Sequence, residues 1–260
     1  MLKSIAAALI AFSLAILAGY PGFALAQQPV VPLPLAGNAD VKIDGKWSSA
    51  GEWSKAIVTM ENYTDGSRLA IRGMHDTDFV YVMLEMPDDY IVDGHGAICF
   101  DTEGDGGTYL AVDDYCFVMG TALKEYHGDG RTTLMQQAPL DTFIAGQRGL
   151  SDSVSPLYSS KPHMTYEFRV PLNYLGSDKT NYGFYVSFDT TGQTNNYTYF
   201  FSWPDYRGAQ YLRVASPRSW GIASLSSDAD VPEFPIPAIG ALVGIVGAVA
   251  VLTRMKLFKN

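Results

Sequence analysis

Tyr166-Glu167-Phe168-Arg169-Val170 carries an apolar side chain at every second position, and Phe184-Tyr185-Val186-Ser187-Phe188-Asp189 repeats the pattern. Successive side chains of a strand point to opposite faces, so each run reads as a strand with one buried and one wet face. Phe79-Val80-Tyr81-Val82-Met83-Leu84 is apolar on both faces, which predicts a central strand covered on both sides. Tyr199 to Trp203 reads as a further strand, ended by Pro204. Short aromatic and β-branched runs recur between clusters of Gly, Asp, Asn and Pro, and no helical period of apolar residues persists in this part of the chain. The predicted fold class is all-β, an antiparallel β-sandwich over residues 40–225.

Working outward, residues 27–39, with Pro29, Pro32 and Pro34, read as an extended tether. Residues 1–26 have the form of an export signal: Lys3, the apolar run Ile5 to Ala18, and the small-residue site Ala24-Leu25-Ala26. After a linker at 226–235 comes a segment, 236–253, whose first 17 residues, Ile236 to Leu252, carry no charge. It is at the short limit for spanning a bilayer. Arg254, Lys256 and Lys259 in the tail 254–260 favour a cytoplasmic end. Val231-Pro232-Glu233-Phe234-Pro235 ahead of that segment resembles archaeal PEF-type C-terminal sorting signals, in which a lipid anchor replaces the helix. Both readings, retained helix and lipid anchor, put the domain on the outer face of a membrane. Asn62-Tyr63-Thr64 and Asn196-Tyr197-Thr198 are glycosylation sequons at Asn62 and Asn196, in keeping with export.

Between these ends the chain holds 14 bases against 27 acids, a net charge of −13. Phosphate recognition needs clustered Lys and Arg, so nucleic acid is excluded as a partner. The imbalance is concentrated: Gly73 to Leu123 contains 11 acids and no Lys or Arg. Within it, Ala97 to Asp101 and Asp114 to Met119 read as antiparallel strands. The sum of opposed residue numbers is constant in such a pair, so one register sets Cys99 against Cys116 and Asp101 against Asp114 on one face. Like charges directly opposed destabilise a sheet. A hard divalent cation would relieve this pair, and Asp101, Glu103, Asp105, Asp113 and Asp114 are the candidate ligands of a structural calcium ion. A solvated acidic loop is the alternative. Cys99 and Cys116 are the only cysteines, and export permits them to form a disulfide. The histidines show no zinc spacing, and no nucleophile stands in a recognisable catalytic signature. The expected role is therefore non-enzymatic.

Ile43-Asp44-Gly45-Lys46-Trp47, Gly51-Glu52-Trp53-Ser54-Lys55-Ala56, Asp78-Phe79-Val80-Tyr81-Val82 and Phe100-Asp101 together resemble the opening of family 9 carbohydrate-binding modules. That family lies in the wider DOMON-like group of β-sandwiches, whose members bind sugars or haem. The resemblance extends over residues 41–221 and implies a β-sandwich with Trp53 in its core. It also implies a polysaccharide or envelope glycan as partner, clamped in sugar-binding members by two exposed aromatics. Trp203, Tyr206, Tyr211 and Trp220, beside Asp205, Arg207 and Arg213, are the candidate sugar-binding aromatics. Trp203 and Trp220 have the alternative role of closing the sandwich. Haem is the second ligand the resemblance allows, with Met74, His75, Met83, Met86, His95 and Met119 as candidate axial ligands. The third reading is a structural envelope protein without a small ligand.

Overall fold

The computed structural model describes residues 28–151, 154–157, 161–176, 178–191 and 198–226. The export signal, the sorting motif with the segment and tail that follow, and Asn196 lie outside the described residues. Among those described, the strands are β1 (Val30–Pro34), β2 (Ile57–Asn62), β3 (Arg68–His75), β4 (Phe79–Met86), β5 (His95–Asp101), β6 (Asp114–Met119), β7 (Leu123–His127), β8 (Gln136–Ala138), β9 (Ala145–Leu150), β10 (Met164–Pro171), β11 (Asn181–Thr191), β12 (Thr198–Trp203) and β13 (Gly221–Ser226). One sheet runs β1-β13-β11-β5-β6-β7-β8, with β12 also paired to β11; the other runs β2-β3-β4-β10-β9. Every pairing is antiparallel except β1 with β13. No described helix is long and apolar enough to cross a membrane.

The two sheets close on a shared core. Val82, Leu84, Phe168 and Val170 from the smaller sheet meet Ile98, Phe100, Phe117, Phe184 and Val186 from the larger. As the unbroken apolar run requires, β4 is the centre of its sheet. In the hairpin of β5 and β6, Cys99 pairs with Cys116, and Asp101 with Asp114. The disulfide is formed, across a Cα separation of 4.1 Å.

Two expectations are corrected. The supposed tether contains β1, whose Val31 and Leu33 are fully buried. Its prolines are tolerated because β1 is an edge strand and lacks a partner on one side. The supposed wet faces of β10 and β11 are covered: Glu167 and Tyr185 are both 0% exposed. Trp47, Trp53 and Ala36 cover the smaller sheet around Met74 and Met83. Leu110, Met135, Val214 and Trp220 cover the larger around the disulfide, and Trp220 stacks on Tyr185 at 5.7 Å. The chain is thus four layers deep where the alternating pattern suggested two.

Candidate functional site

The quoted opening motif is a plug on the smaller sheet. Glu167 accepts hydrogen bonds from Trp53 Nε1 (3.0 Å), Asp44 N (2.9 Å) and Gly45 N (2.8 Å). Gly45 has φ +85°, and a Cβ there would meet the Arg148 backbone at 2.4 Å, so only glycine fits. Glu52 accepts from Lys42 N (2.7 Å) and Ser48 N (2.8 Å), tying the segment to itself. Burial pushes Glu167 up to about 8, against the pull of the Gly45, Asp44 and Trp53 donors and helped by the charge of Glu52.

A second buried network sits on the same face. Arg72 Nε donates to Glu85 Oε2 at 2.8 Å, and Ser155 donates to Glu85 Oε1. His163 Nε2 lies 3.2 Å from that same Oε1, and its Nδ1 lies 3.0 Å from Ser151 Oγ. This is the serine, histidine and carboxylate chain that no sequence signature marked. Ser151 is 3% exposed, and His163 and Glu85 are 0% exposed, so the network faces protein and fastens the loop after β9 to the sheet.

At the end of β5 three acids of the hairpin converge, and Asp114, which the register sets opposite Asp101, is not one of them. Asp101, Asp105 and Asp113 each bring a carboxylate oxygen within 4.8 Å of the other two. Asp101 accepts Gly104 N at 2.6 Å and Gly106 N at 3.0 Å, which wraps the loop around it. Asp114 accepts Ala111 N at 2.5 Å, while its Oδ1 and Asp113 Oδ2 are buried without a protein partner. Burial, with the charges of Asp101, Asp113 and Asp105, pushes Asp114 up to about 7. This all-oxygen donor set fits a hard cation. Glu103 stands apart from it: its side chain is 70% exposed and pairs with Lys179 at 3.3 Å. The base missing from the acidic stretch arrives from a distant loop.

The candidate aromatics separate. Trp203 (2% exposed) and Trp220 (0%) are core, which corrects their assignment to the ligand. Apolar packing in two clusters occupies both indoles. Tyr211 is exposed but packs on His95 at 4.6 Å, away from Tyr206. Tyr206 lies in a depression with Tyr63, Asp65, Tyr199 and Asp205. The haem candidates Met74, Met83, Met86 and Met119 are buried in the packing. His75 contacts the Asp76 and Ser226 carbonyls, and His95 contacts Asp189.

Sequence reasoning missed one cleft. About 350 Å³ in volume, it lies at the end of the sandwich where β3 begins and β4 and β11 finish. Phe188, Tyr199 and Phe201 supply apolar wall, and Arg68 and Asp88 a forked ion pair of two 3.0 Å bonds. Asp89 is 8% exposed; its Oδ1 accepts Ile91 N at 3.0 Å, and the Thr190 side chain is a further hydrogen-bond partner of the carboxyl. Burial raises the Asp89 carboxyl above its ordinary range. The signal in the sequence was Arg68 and Asp88-Asp89, twenty residues apart and joined only by strand pairing.

No family model matches the sequence, and no curated protein matches it either. The fold is that of a family 9 carbohydrate-binding module. A module of that family from Caldicellulosiruptor kristjanssonii, solved with cellotriose, superposes with a TM-score of 0.50 at 15% identity, covering 79% of this chain and all of the other. The same kind of module from that organism, solved with glucose, gives 0.49 at 14% identity over the same share.

Proposed function

We propose that this domain is a non-catalytic glycan-binding module, held on the outer face of a membrane and stabilised by calcium. The observation that carries the reading is the cleft at Arg68, Asp88 and Asp89. Sugars present apolar faces and a rim of hydroxyls, each both donor and acceptor. Phe188, Tyr199 and Phe201 suit the faces, and the exposed ion pair of Arg68 and Asp88 offers donors and acceptors to the hydroxyls. The volume falls within the range of small-ligand pockets. The sandwich shared with the cellotriose-bound module adds to this.

Titration calorimetry with cellotriose, followed by a glycan array, tests the reading. Arg68→Ala and Tyr199→Ala should each weaken binding at least tenfold with the melting midpoint preserved. Unaltered affinity in both variants, or retention of no sugar, would overturn it.

The calcium is assigned to Asp101, Asp105 and Asp113, in a structural role. Calcium at one hundred times its dissociation constant should stabilise the domain by about 2.7 kcal/mol. Equal unfolding midpoints with calcium and with chelator, and no heat of binding, would sink the assignment. The outer-face location rests on the export signal and on segment 236–253. A chain ending at Asp230 should leave the membrane fraction; if it still sediments with membranes, the anchor lies elsewhere. Asn62 and Thr64 are exposed, so glycosylation is assigned to Asn62 and is checked by glycopeptide mapping.

A further inference from the structure

The cleft at Arg68 and Asp88 does not stop at Tyr199. A second depression, of about 360 Å³, shares Asp65, Tyr199 and Phe201 with it and continues to Asp205, Tyr206 and Arg207. The two are contiguous across one pair of rings. β12 carries both of those rings and pairs only with β11, so among the described residues no further strand walls off its outer edge. Tyr199 and Phe201 thus form a wall common to both depressions.

The second depression is built. Tyr63 packs on Phe201 at 4.8 Å between ring centroids and donates its hydroxyl to the Ser202 carbonyl at 2.9 Å, which fixes the wall. Ser202 Oγ accepts Tyr206 N at 2.9 Å, so the turn that presents Tyr206 is tied to β12. The Tyr206 ring lies against Gly208, where a Cβ would come within 2.6 Å of the ring. That glycine sets the ring's place. Beside it, exposed Asp205 and Arg207 offer an acceptor and a donor set, repeating the aromatic, acid and arginine composition of the first depression.

Resting on the glycan reading, we infer that the module reads an oligosaccharide as a chain, with one sugar at Arg68 and Asp89 and further units over Tyr199 toward Tyr206 and Arg207. Specificity then resides in length and linkage as well as in the terminal unit. A single sugar would leave half of the cleft unused.

The test is an array of mono- to tetrasaccharides of the gluco-, xylo-, manno- and galacto-series, followed by calorimetry of the series retained. The expected result is a trisaccharide bound at least tenfold more tightly than the monosaccharide. In Tyr206→Ala, Arg207→Ala and Gly208→Ala, that ratio should fall toward one, with unfolding midpoints confirming the fold. Monosaccharide and trisaccharide bound equally by the natural chain would overturn this inference and leave the glycan reading standing. A length-dependent affinity unaffected by all three variants would overturn it too. Retention of no series at any length would overturn the glycan reading itself, and this inference with it.

Discussion

Glu167 and Glu85 show how neighbouring carboxylates on one buried face can have opposite effects. Burial lifts Glu167 from 4.5 to about 8, so over that window the folded state holds a proton that the unfolded state has lost. Stability from this group is therefore greatest at low pH and declines as pH rises through the window. Glu167→Gln should flatten the decline, which urea midpoints at pH 5 and pH 8 would read; an unchanged slope would refute the assignment. For Glu85, burial works upward, but the hydrogen bonds of His163, Ser155 and Arg72 outweigh it and hold the carboxyl below its ordinary range. Its contribution is present above the unfolded value and is lost as pH falls. Glu85→Gln would leave the Arg72 guanidinium, 7% exposed, without its counter-charge. Removing one partner of a buried pair costs about 3 to 5 kcal/mol, and a loss below 1 kcal/mol by denaturant titration would show the pair to be dispensable.

The hairpin of β5 and β6 is the element most legible in the sequence, because one arithmetic constraint sets both the cysteines and the acids. Its disulfide closes a separation of 17 residues, which should contribute about 3 kcal/mol through the unfolded chain. Cys99→Ala with Cys116→Ala should lower stability by that order; equal stability of the variant and the natural chain would show that the link is redundant with the packing of Trp220 and Leu110. Other elements were less legible for a physical reason. Alternation reports which residues share a face but not what covers that face. Glu167 and Tyr185 looked wet because their partners, Trp53 and Trp220, lie 114 and 35 residues away. Pro32 and Pro34 marked β1 as unable to sit inside a sheet, which is as true of an edge strand as of a tether. The cleft was hidden likewise: Arg68 meets Asp88 only once β3 and β4 pair. Trp203 and Trp220 take the alternative that the sequence had left open for them, closing the sandwich.

At the scale of the molecule, the sandwich has two ends with different chemistry. β5 and β11 run antiparallel between them: His95 opposes Asp189 near the cleft, and Asp101 opposes Gly183 at the acidic hairpin. Six residues of extended strand separate those levels by about 20 Å. β13 ends at the acidic level, where Leu225 N bonds to the Thr180 carbonyl. The last described strand therefore ends at the acidic level, opposite the cleft. The two proposed sites share no residue, and strands locked by the closed core of Phe100, Phe184 and Val186 join them. Sites so far apart without shared partners act additively. Calcium should accordingly raise the unfolding midpoint without changing the affinity for sugar. Calorimetry of the retained oligosaccharide in calcium and in chelator, below the unfolding range of both samples, checks this. A change of more than threefold would mean that the cation orders the cleft and that the ends are coupled through β5 and β11.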